Sequence, residues 1–260
     1  MERNEMIFGI RAVIEAVEAG KDIDKILIKK DLQSDLAQEL FAAVRGRNIV
    51  VQKVPIEKIN RMSRKNHQGV LAFISAVTYQ HLDDIVPGLY EEGKNPFIIL
   101  LDGITDVRNF GAIARTCECA GVNAIVIPER GSVSVNADAV KTSAGALLHL
   151  PVCRESSVFE AVRFLKNSGF RTIAASEKAV VNYTDIDYTV PVAIVMGAED
   201  TGVSKEVLRL CDDMVALPQM GVIGSLNVSV AAGVMMYEVV RQRMGNCKKG
   251  HSVNNIKSAN

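Results

Sequence analysis

The sequence has no apolar run approaching the roughly 18 residues that a membrane-spanning helix needs. Its first residues, Met1 to Asn4, are polar, and no apolar signal-peptide core follows them. The five cysteines include no CxxC pair and no metal-ligand spacing. Cys117 and Cys119 stand two apart and the others are scattered, so they read as buried or free thiols rather than as a disulfide frame or a zinc site. The four histidines, His67, His81, His149 and His251, offer no close pair for a metal. No GxGxxG fingerprint follows a candidate strand and no GxxxxGK[ST] phosphate loop is present, which argues against nicotinamide and ATP chemistry. There is no internal repeat. The expectation is a metal-free, cytoplasmic, globular protein with no membrane partner. What remains is ordinary for that class: 48% hydrophobic and 23% charged residues in 260, a length suited to one or two domains.

Net charge is also lacking, with 30 basic and 30 acidic residues, but the balance is uneven along the chain. Residues 1–75 carry 13 lysines and arginines against 10 acids, residues 76–240 carry 12 against 20, and residues 241–260 carry 5 against none. Within the first part Arg45, Arg47, Lys53, Lys58, Arg61, Arg64 and Lys65 are opposed only by Glu57. A basic end joined to an acidic body suggests a polyanion gripped at one end and other work done in the middle.

Hydrophobic patterning divides the chain into a small first unit over 1–77, a polar linker over 78–96, a larger unit over 97–244 and a polar basic tail over 245–260 read as disordered. In the first unit helical spacing at 10–17 and 32–44 alternates with strand-like stretches at 25–29, 49–54 and 69–75, and Pro55 opens a short helix. In the second, Phe97–Leu101 and Val192–Met196 are continuous apolar runs of the kind found in central parallel strands buried on both faces. Strands at 124–127, 171–175 and 214–217 and helices at 109–120, 158–167 and 227–243 complete the pattern. Such alternation gives an α/β fold with an open parallel sheet covered by helices.

Three stretches exceed the needs of packing. Asp102 to Thr116 runs from a strand end through a polar loop into a helix that Asn109 can cap. Gly111 and Arg115 share a face of it, and a glycine in a first turn points to a close neighbour. Met196-Gly-Ala-Glu-Asp-Thr-Gly202 follows a buried strand, where ligands sit in open α/β sheets, and places Glu199 at the mouth of the loop. Leu217 to Ala232 joins a strand end, a loop with Gly221 and Gly224, and a helix of small residues introduced by Ser225 and Asn227.

Taken in order, these three stretches resemble the SpoU (TrmH) family of RNA ribose 2′-O-methyltransferases, in the SPOUT superfamily. Ile7-Phe-Gly-Ile-Arg-Ala-Val13 and Asn66-His-Gln-Gly-Val70 resemble the substrate-binding domain of the bacterial 23S rRNA guanosine-2′-O-methyltransferase subgroup. The sequence departs from the family at Val107, where proline often follows the aspartate. The resemblance implies a trefoil knot in the C-terminal part of the catalytic domain, S-adenosylmethionine as cofactor without a metal, and a homodimer. By motif match it implies cofactor contacts at Gly197, Leu217 and Leu226. The catalytic positions are Arg115, Glu199, Ser225 and Asn227, supported by Asn109. RNA contact falls to Arg45, Arg47, Arg61, Arg64 and Lys65, with Arg241, Arg243, Lys248 and Lys249 adding backbone contacts. An apolar face of the last helix, Val228, Ala231, Ala232 and Met235, is the expected dimer contact.

The implied reaction moves a methyl group from a sulfonium to a ribose hydroxyl. Arginine normally keeps its charge, so Arg115 is expected to grip a phosphate and stabilise the developing alkoxide rather than act as the base. The substrate reading favours 23S rRNA. The competing readings are a tRNA ribose methyltransferase and a non-catalytic RNA-binding assembly factor. Retention of Arg115, Glu199, Ser225 and Asn227 speaks against the last.

Overall fold

The computed structural model describes residues 6–47, 49–93 and 95–247. The first unit is a four-stranded sheet between helices. In chain order it contains β1 (Met6–Phe8), α1 (Ile10–Glu18), β2 (Ile23–Lys29), α2 (Asp35–Val44), β3 (Val50–Val54), α3 (Ile56–Met62) and β4 (Val70–Ile74). The strand order is β1-β4-β2-β3, with β2 and β3 parallel and β4 antiparallel to both its neighbours. Alternation along β2 sends Ile26 and Ile28 into one core with α1 and α2, and Leu27 into a second beneath α3. β3 is therefore an edge strand, with α2 leading into it and α3 leading out. Ser34, whose Oγ accepts the Ala37 N–H, starts α2 at Asp35, three residues later than periodicity alone suggests.

The second unit comprises β5 (Tyr79–Gln80), α4 (Leu82–Glu91), β6 (Phe97–Asp102), α5 (Val107–Cys119), β7 (Ala124–Pro128), α6 (Ala137–Thr142), β8 (Val152–Glu155), α7 (Val158–Asn167), β9 (Arg171–Ala175), β10 (Val181–Asn182), β11 (Val192–Gly197), α8 (Lys205–Leu210), β12 (Asp213–Ala216) and α9 (Val228–Cys247). Its eight strands are all parallel, in the order β10-β12-β9-β11-β6-β7-β8-β5. The mixed α/β class and parallel sheet agree with the sequence reading. In β6, Phe97, Ile99 and Leu101 enter one core layer while Ile98 and Leu100 enter the other, which is why the run is apolar throughout.

Four sequence expectations are revised. Residues 78–96 are not a bare linker: β5 is the outermost strand of the large sheet, and α4 packs Leu82 and Val86 into a core layer. Pro87 and Gly88 read as turn signals, yet both lie within the helix. Asn109 does not cap α5; Asp106 does, accepting from the N–H groups of Arg108 and Asn109. α9 continues to Cys247 rather than ending at Arg243, while Lys248, Lys249 and the rest of the expected tail lie outside the described residues. Finally, Val228, Ala232 and Met235 are not a dimer face. They are buried in their own domain's core with Ala231 packed against it, because α9 covers the sheet beside α5.

The two units are joined by a buried polar contact. Arg154 of β8 donates to the Asp24 carbonyl at 2.8 Å and lies 4.0 Å from its carboxylate. The Tyr79 hydroxyl donates to the same carboxylate at 3.0 Å, with the Arg154 guanidinium 4.7 Å from the tyrosine ring. Burial and then the charge on Asp24 push the Tyr79 phenol well above its ordinary pKa, so it stays protonated and keeps donating. Lys25 to Ser134 Oγ (3.0 Å) and the Ala76 N–H to the Val135 carbonyl (2.8 Å) extend the joint.

Candidate active site

Chain order reverses between β6 and β11, the kind of seam where open α/β sheets bind ligands beyond the carboxyl ends of their strands. Two loops meet there, residues 103–106 after β6 and 198–204 after β11. Asp102 ties them, its carboxylate accepting the Ser204 N–H at 2.8 Å. The second loop folds back on itself, with the Gly202 N–H bonded to the Ala198 carbonyl at 2.8 Å. Only glycine permits this at position 197: a Cβ there would stand 2.1 Å from both the Gly202 carbonyl carbon and the Val203 nitrogen.

That loop carries Glu199 to the start of α9. Its Oε1 accepts from Asn109 Nδ2 at 3.2 Å, from the Val228 backbone N–H at 3.2 Å and from Asn227 Nδ2. Asn227 Nδ2 also donates to Asn109 Oδ1 at 3.0 Å, closing a ring of three side chains drawn from three motifs up to 118 residues apart. A carboxylate at a helix N-terminus is favourably placed against the free N–H groups of the first turn. The ring's position is fixed from the other side by Ser229, whose N–H and hydroxyl both donate to Asn227 Oδ1.

Beside the ring is an open cleft. Gly197, Leu217 and Leu226 all line it, together with Glu199 and Ser225, so residues assigned to cofactor and catalysis share one wall. A second cleft of about 270 Å³ adjoins Glu199, lined by Gly103 to Asp106, Asn109 and Asp200. Glu199, Ala198 and Val228 belong to both.

Other expected residues lie elsewhere. Arg115 is exposed on α5, two turns beyond Asn109, and bonds to none of the ring. Among the described residues it has no hydrogen-bond or ion-pair partner. Ser225 is exposed on the cleft wall and makes no side-chain hydrogen bond there; the hydroxyl that holds Asn227 belongs to Ser229, which the sequence did not single out. The loop after β9, with Ser176 and Glu177, was also missed, although it ends at the same edge of the sheet as the motifs and lines the cleft. Gly111 does meet a close neighbour, but it is protein: a Cβ there would stand 2.6 Å from Thr142 Cβ and 3.0 Å from the Ser143 nitrogen.

The expected RNA-contact residues Arg45, Arg47, Arg61, Arg64 and Lys65 are exposed but do not form one patch. Arg45 and Arg47 follow α2 on one layer of the small sheet, whereas Arg61 in α3 and Arg64 and Lys65 just after it occupy the other. Arg47 donates to the Val17 carbonyl, and the Lys65 ammonium sits 4.7 Å from the Phe8 ring centroid. Arg45, Arg61 and Arg64 have no partner among the described residues. Of the expected C-terminal contacts, Arg241 pairs with Glu238, and Arg243 bonds four backbone carbonyls at Asn95, Pro96, Tyr188 and Val190, a structural task.

Among the described residues no helix is long and apolar enough to cross a membrane, and no group of three or more His, Cys, Asp or Glu is placed to hold a metal ion.

Comparison with known proteins agrees with this geometry. Residues 96–237 match the SpoU rRNA Methylase family, and residues 6–80 match the RNA 2′-O ribose methyltransferase substrate-binding family. A relative from Staphylococcus saprophyticus, named for the TrmH family of tRNA/rRNA methyltransferases, is 36% identical over 238 residues, 92% of this chain and 96% of that protein. One of the same family from Bacillus subtilis is 33% identical over 242 residues, 93% of this chain and 97% of its own. The SpoU methyltransferase AviRb from Streptomyces viridochromogenes, in complex with AdoMet, superposes with a TM-score of 0.58 at 26% identity, covering 92% of this chain and 90% of its own. An AdoMet-bound rRNA methyltransferase from Sinorhizobium meliloti gives 0.58 at 27%, covering 91% and 86%. With its three motifs gathered at one seam and both units matched, this chain belongs to the SpoU/TrmH family of RNA methyltransferases.

Proposed function

We propose that this chain transfers a methyl group from S-adenosylmethionine to a ribose 2′-hydroxyl, that of a guanosine in 23S rRNA. The observation that carries the reading is the ring of Asn109, Glu199 and Asn227 beside the cleft lined by Gly197, Leu217 and Leu226. The cleft fits the cofactor. It is lined by apolar side chains (Met196, Val215, Leu217, Leu226) beside loop glycines and a few polar groups (Ser176, Glu177, Glu199), the mixture expected of a small-molecule site. When bound there, the cofactor supplies an activated methyl on a sulfonium, a leaving group that needs no metal.

The chain's own task is to hold the hydroxyl in line and ease its deprotonation. Glu199 uses one oxygen for the ring, and its other oxygen is available to orient a ribose hydroxyl. Glu199 thus acts as a positioning group. Arg115, exposed and without a partner among the described residues, binds a substrate phosphate and stabilises the alkoxide. Asn109 and Asn227 keep the Glu199 loop seated, and Ser225 borders the bound cofactor. Arg45, Arg47, Arg61, Arg64 and Lys65 supply phosphate contacts from the small domain.

The choice of rRNA is supported by coverage. The Sinorhizobium rRNA methyltransferase spans 91% of this chain, whereas the Aquifex aeolicus TrmH/SpoU tRNA modifying enzyme spans 64%. The proposal includes a trefoil knot and a homodimer, both supported by family membership. For the dimer, α9 keeps Val230, Val234 and Tyr237 exposed, and the loop before it exposes Met220, Val222 and Ile223. Mass spectrometry of rRNA and tRNA nucleosides from a strain lacking the gene tests the reading. Loss of one 2′-O-methylguanosine from 23S rRNA is expected; loss from tRNA alone would overturn the substrate assignment, and no loss from either would overturn the activity.

A further inference from the structure

The joint between the two units leaves a polar cleft of about 390 Å³ that the motifs do not account for. One wall is the start of β3, Val50 to Gln52, beside Asp24 and Lys25 of β2. The other is the loop after β7, with Arg130, Ser132 and Ser134. Three features of this cleft converge. β3 is hydrogen-bonded to β2 on one side only, so its other edge offers backbone donors and acceptors to a ligand. Lys25, Arg130 and Arg154 line the cleft against Asp24 and Glu129, and Asp24 is already engaged by Arg154 and Tyr79, so the lining carries a net positive charge. Arg130 itself is exposed and has no hydrogen-bond or ion-pair partner among the described residues.

Position gives the cleft its meaning. The loop after β7 leaves the same edge of the parallel sheet as the two loops at the β6–β11 seam. β7 is the neighbour of β6 and lies two strands from β11, on the order of 10 Å at the usual spacing between strands. The small-domain wall at Val50 to Gln52 belongs to β3, the strand that also carries Lys53. The cleft therefore joins the edge strand of the small domain to the catalytic edge of the other.

We propose that this interdomain cleft seats the sugar–phosphate backbone of the RNA strand flanking the target nucleotide, with Arg130 contacting a phosphate and Gln52, Ser132 and Ser134 bonding ribose hydroxyls. The inference rests on the RNA methyltransferase reading above. It makes RNA binding a property of both domains held at a fixed distance, rather than of the small domain alone.

The test compares Arg130→Ala, Arg130→Lys and Arg130→Glu in the full chain, with Arg163→Ala as a control. Arg163 lies on α7, paired with Glu160 and outside the cleft. The readouts are the affinity of a fluorescein-labelled mixed-sequence single-stranded RNA across a salt series, the KM for rRNA from the deletion strain, and the affinity for S-adenosylmethionine. Arg130→Ala should weaken RNA binding several-fold and lower the salt slope by about 0.7, the value of one single-strand phosphate contact. Arg130→Lys should restore most of the slope, and Arg130→Glu should weaken binding further. The KM for rRNA should rise with kcat and cofactor affinity unchanged. Unaltered RNA affinity and slope in Arg130→Ala, or an equal loss in Arg163→Ala, would overturn the cleft assignment. A wild-type chain that binds neither RNA would overturn the underlying reading instead.

Discussion

Replacing Gly197 with alanine separates a structural role from a ligand-binding one. The new Cβ would stand 2.1 Å from two backbone atoms of the 198–203 segment, against an ordinary contact of 3.4 Å or more, so the segment must retreat by about 1.3 Å. Backbone cannot rotate away as a side chain can. Forced overpacking of this kind costs about 1–3 kcal/mol, and each kcal/mol lowers the melting temperature of a domain of this size by roughly 2–4 °C. The same displacement moves the wall of the cofactor cleft and pulls Glu199 from the ring. If about 2 kcal/mol of that strain must be met again on binding, affinity falls about 30-fold. Gly111→Ala is the matched control. Its Cβ would meet Thr142 at 2.6 Å and the Ser143 backbone at 3.0 Å, a comparable clash between α5 and α6 that lies outside the cleft. Thermal denaturation and calorimetry with S-adenosylmethionine should show both variants destabilised and only Gly197→Ala impaired in binding. Equal loss of affinity in the two, or wild-type affinity in Gly197→Ala, would refute the reasoning.

Three further outcomes follow from the structure. Arg115→Ala should reduce methyl transfer by orders of magnitude with cofactor binding intact, and Arg115→Lys should restore a measurable part without a steeper pH–rate profile than the wild type, because lysine keeps the charge and loses the planar fork. A lysine variant whose rate climbs more steeply with pH would instead assign Arg115 as the base. The Arg61→Ala, Arg64→Ala, Lys65→Ala triple variant should weaken RNA binding in a salt-dependent way with unchanged cofactor affinity; identical RNA titrations would show an idle solvated face. The hydrogen bonds from Arg241 first, and from Gln242, hold the Glu238 carboxyl below its usual pKa against the cost of burial. Its contribution to stability is present above the ordinary glutamate pKa and is lost as pH falls through the lowered one, so Glu238→Gln should flatten the acid limb of the melting profile, and an unchanged limb would remove the pair from the account.

The sequence made legible what periodicity and motif spacing encode. The runs Phe97–Leu101 and Val192–Met196 read as strands covered on both faces, and they are adjacent at the seam. Gly197, Leu217 and Leu226 did converge on one cleft, because all three leave the same edge of a parallel sheet. What stayed hidden depended on competition between signals or on contacts distant in sequence. Pro87 and Gly88 masked a helix that tertiary packing of Leu82 and Val86 sustains. The small residues of α9 looked like a helix-pairing face, but the same smallness suits a helix laid on its own sheet. Ser229 lay inside the third stretch, two residues past Asn227, and its role appears only when the turn of α9 brings its hydroxyl back to Asn227. The basic cluster was continuous in sequence and is split in space, since the chain crosses the small sheet at β3 between Arg47 and Arg61.

The joint of Asp24, Tyr79 and Arg154 also bears on how the protein can be taken apart. Its members come from β2, from the short edge strand β5 and from β8, so no single cut separates the two units cleanly. Deleting residues 1–77 removes Asp24 while keeping its two partners, bringing to the surface an arginine and a tyrosine packed against it. The N-terminal unit is thus a poor candidate for free exchange among relatives. A graft that changed substrate preference would have to carry compatible residues at 24, 79 and 154 together, and chimaeras that ignore this would report a lost domain angle as though it were a lost recognition site.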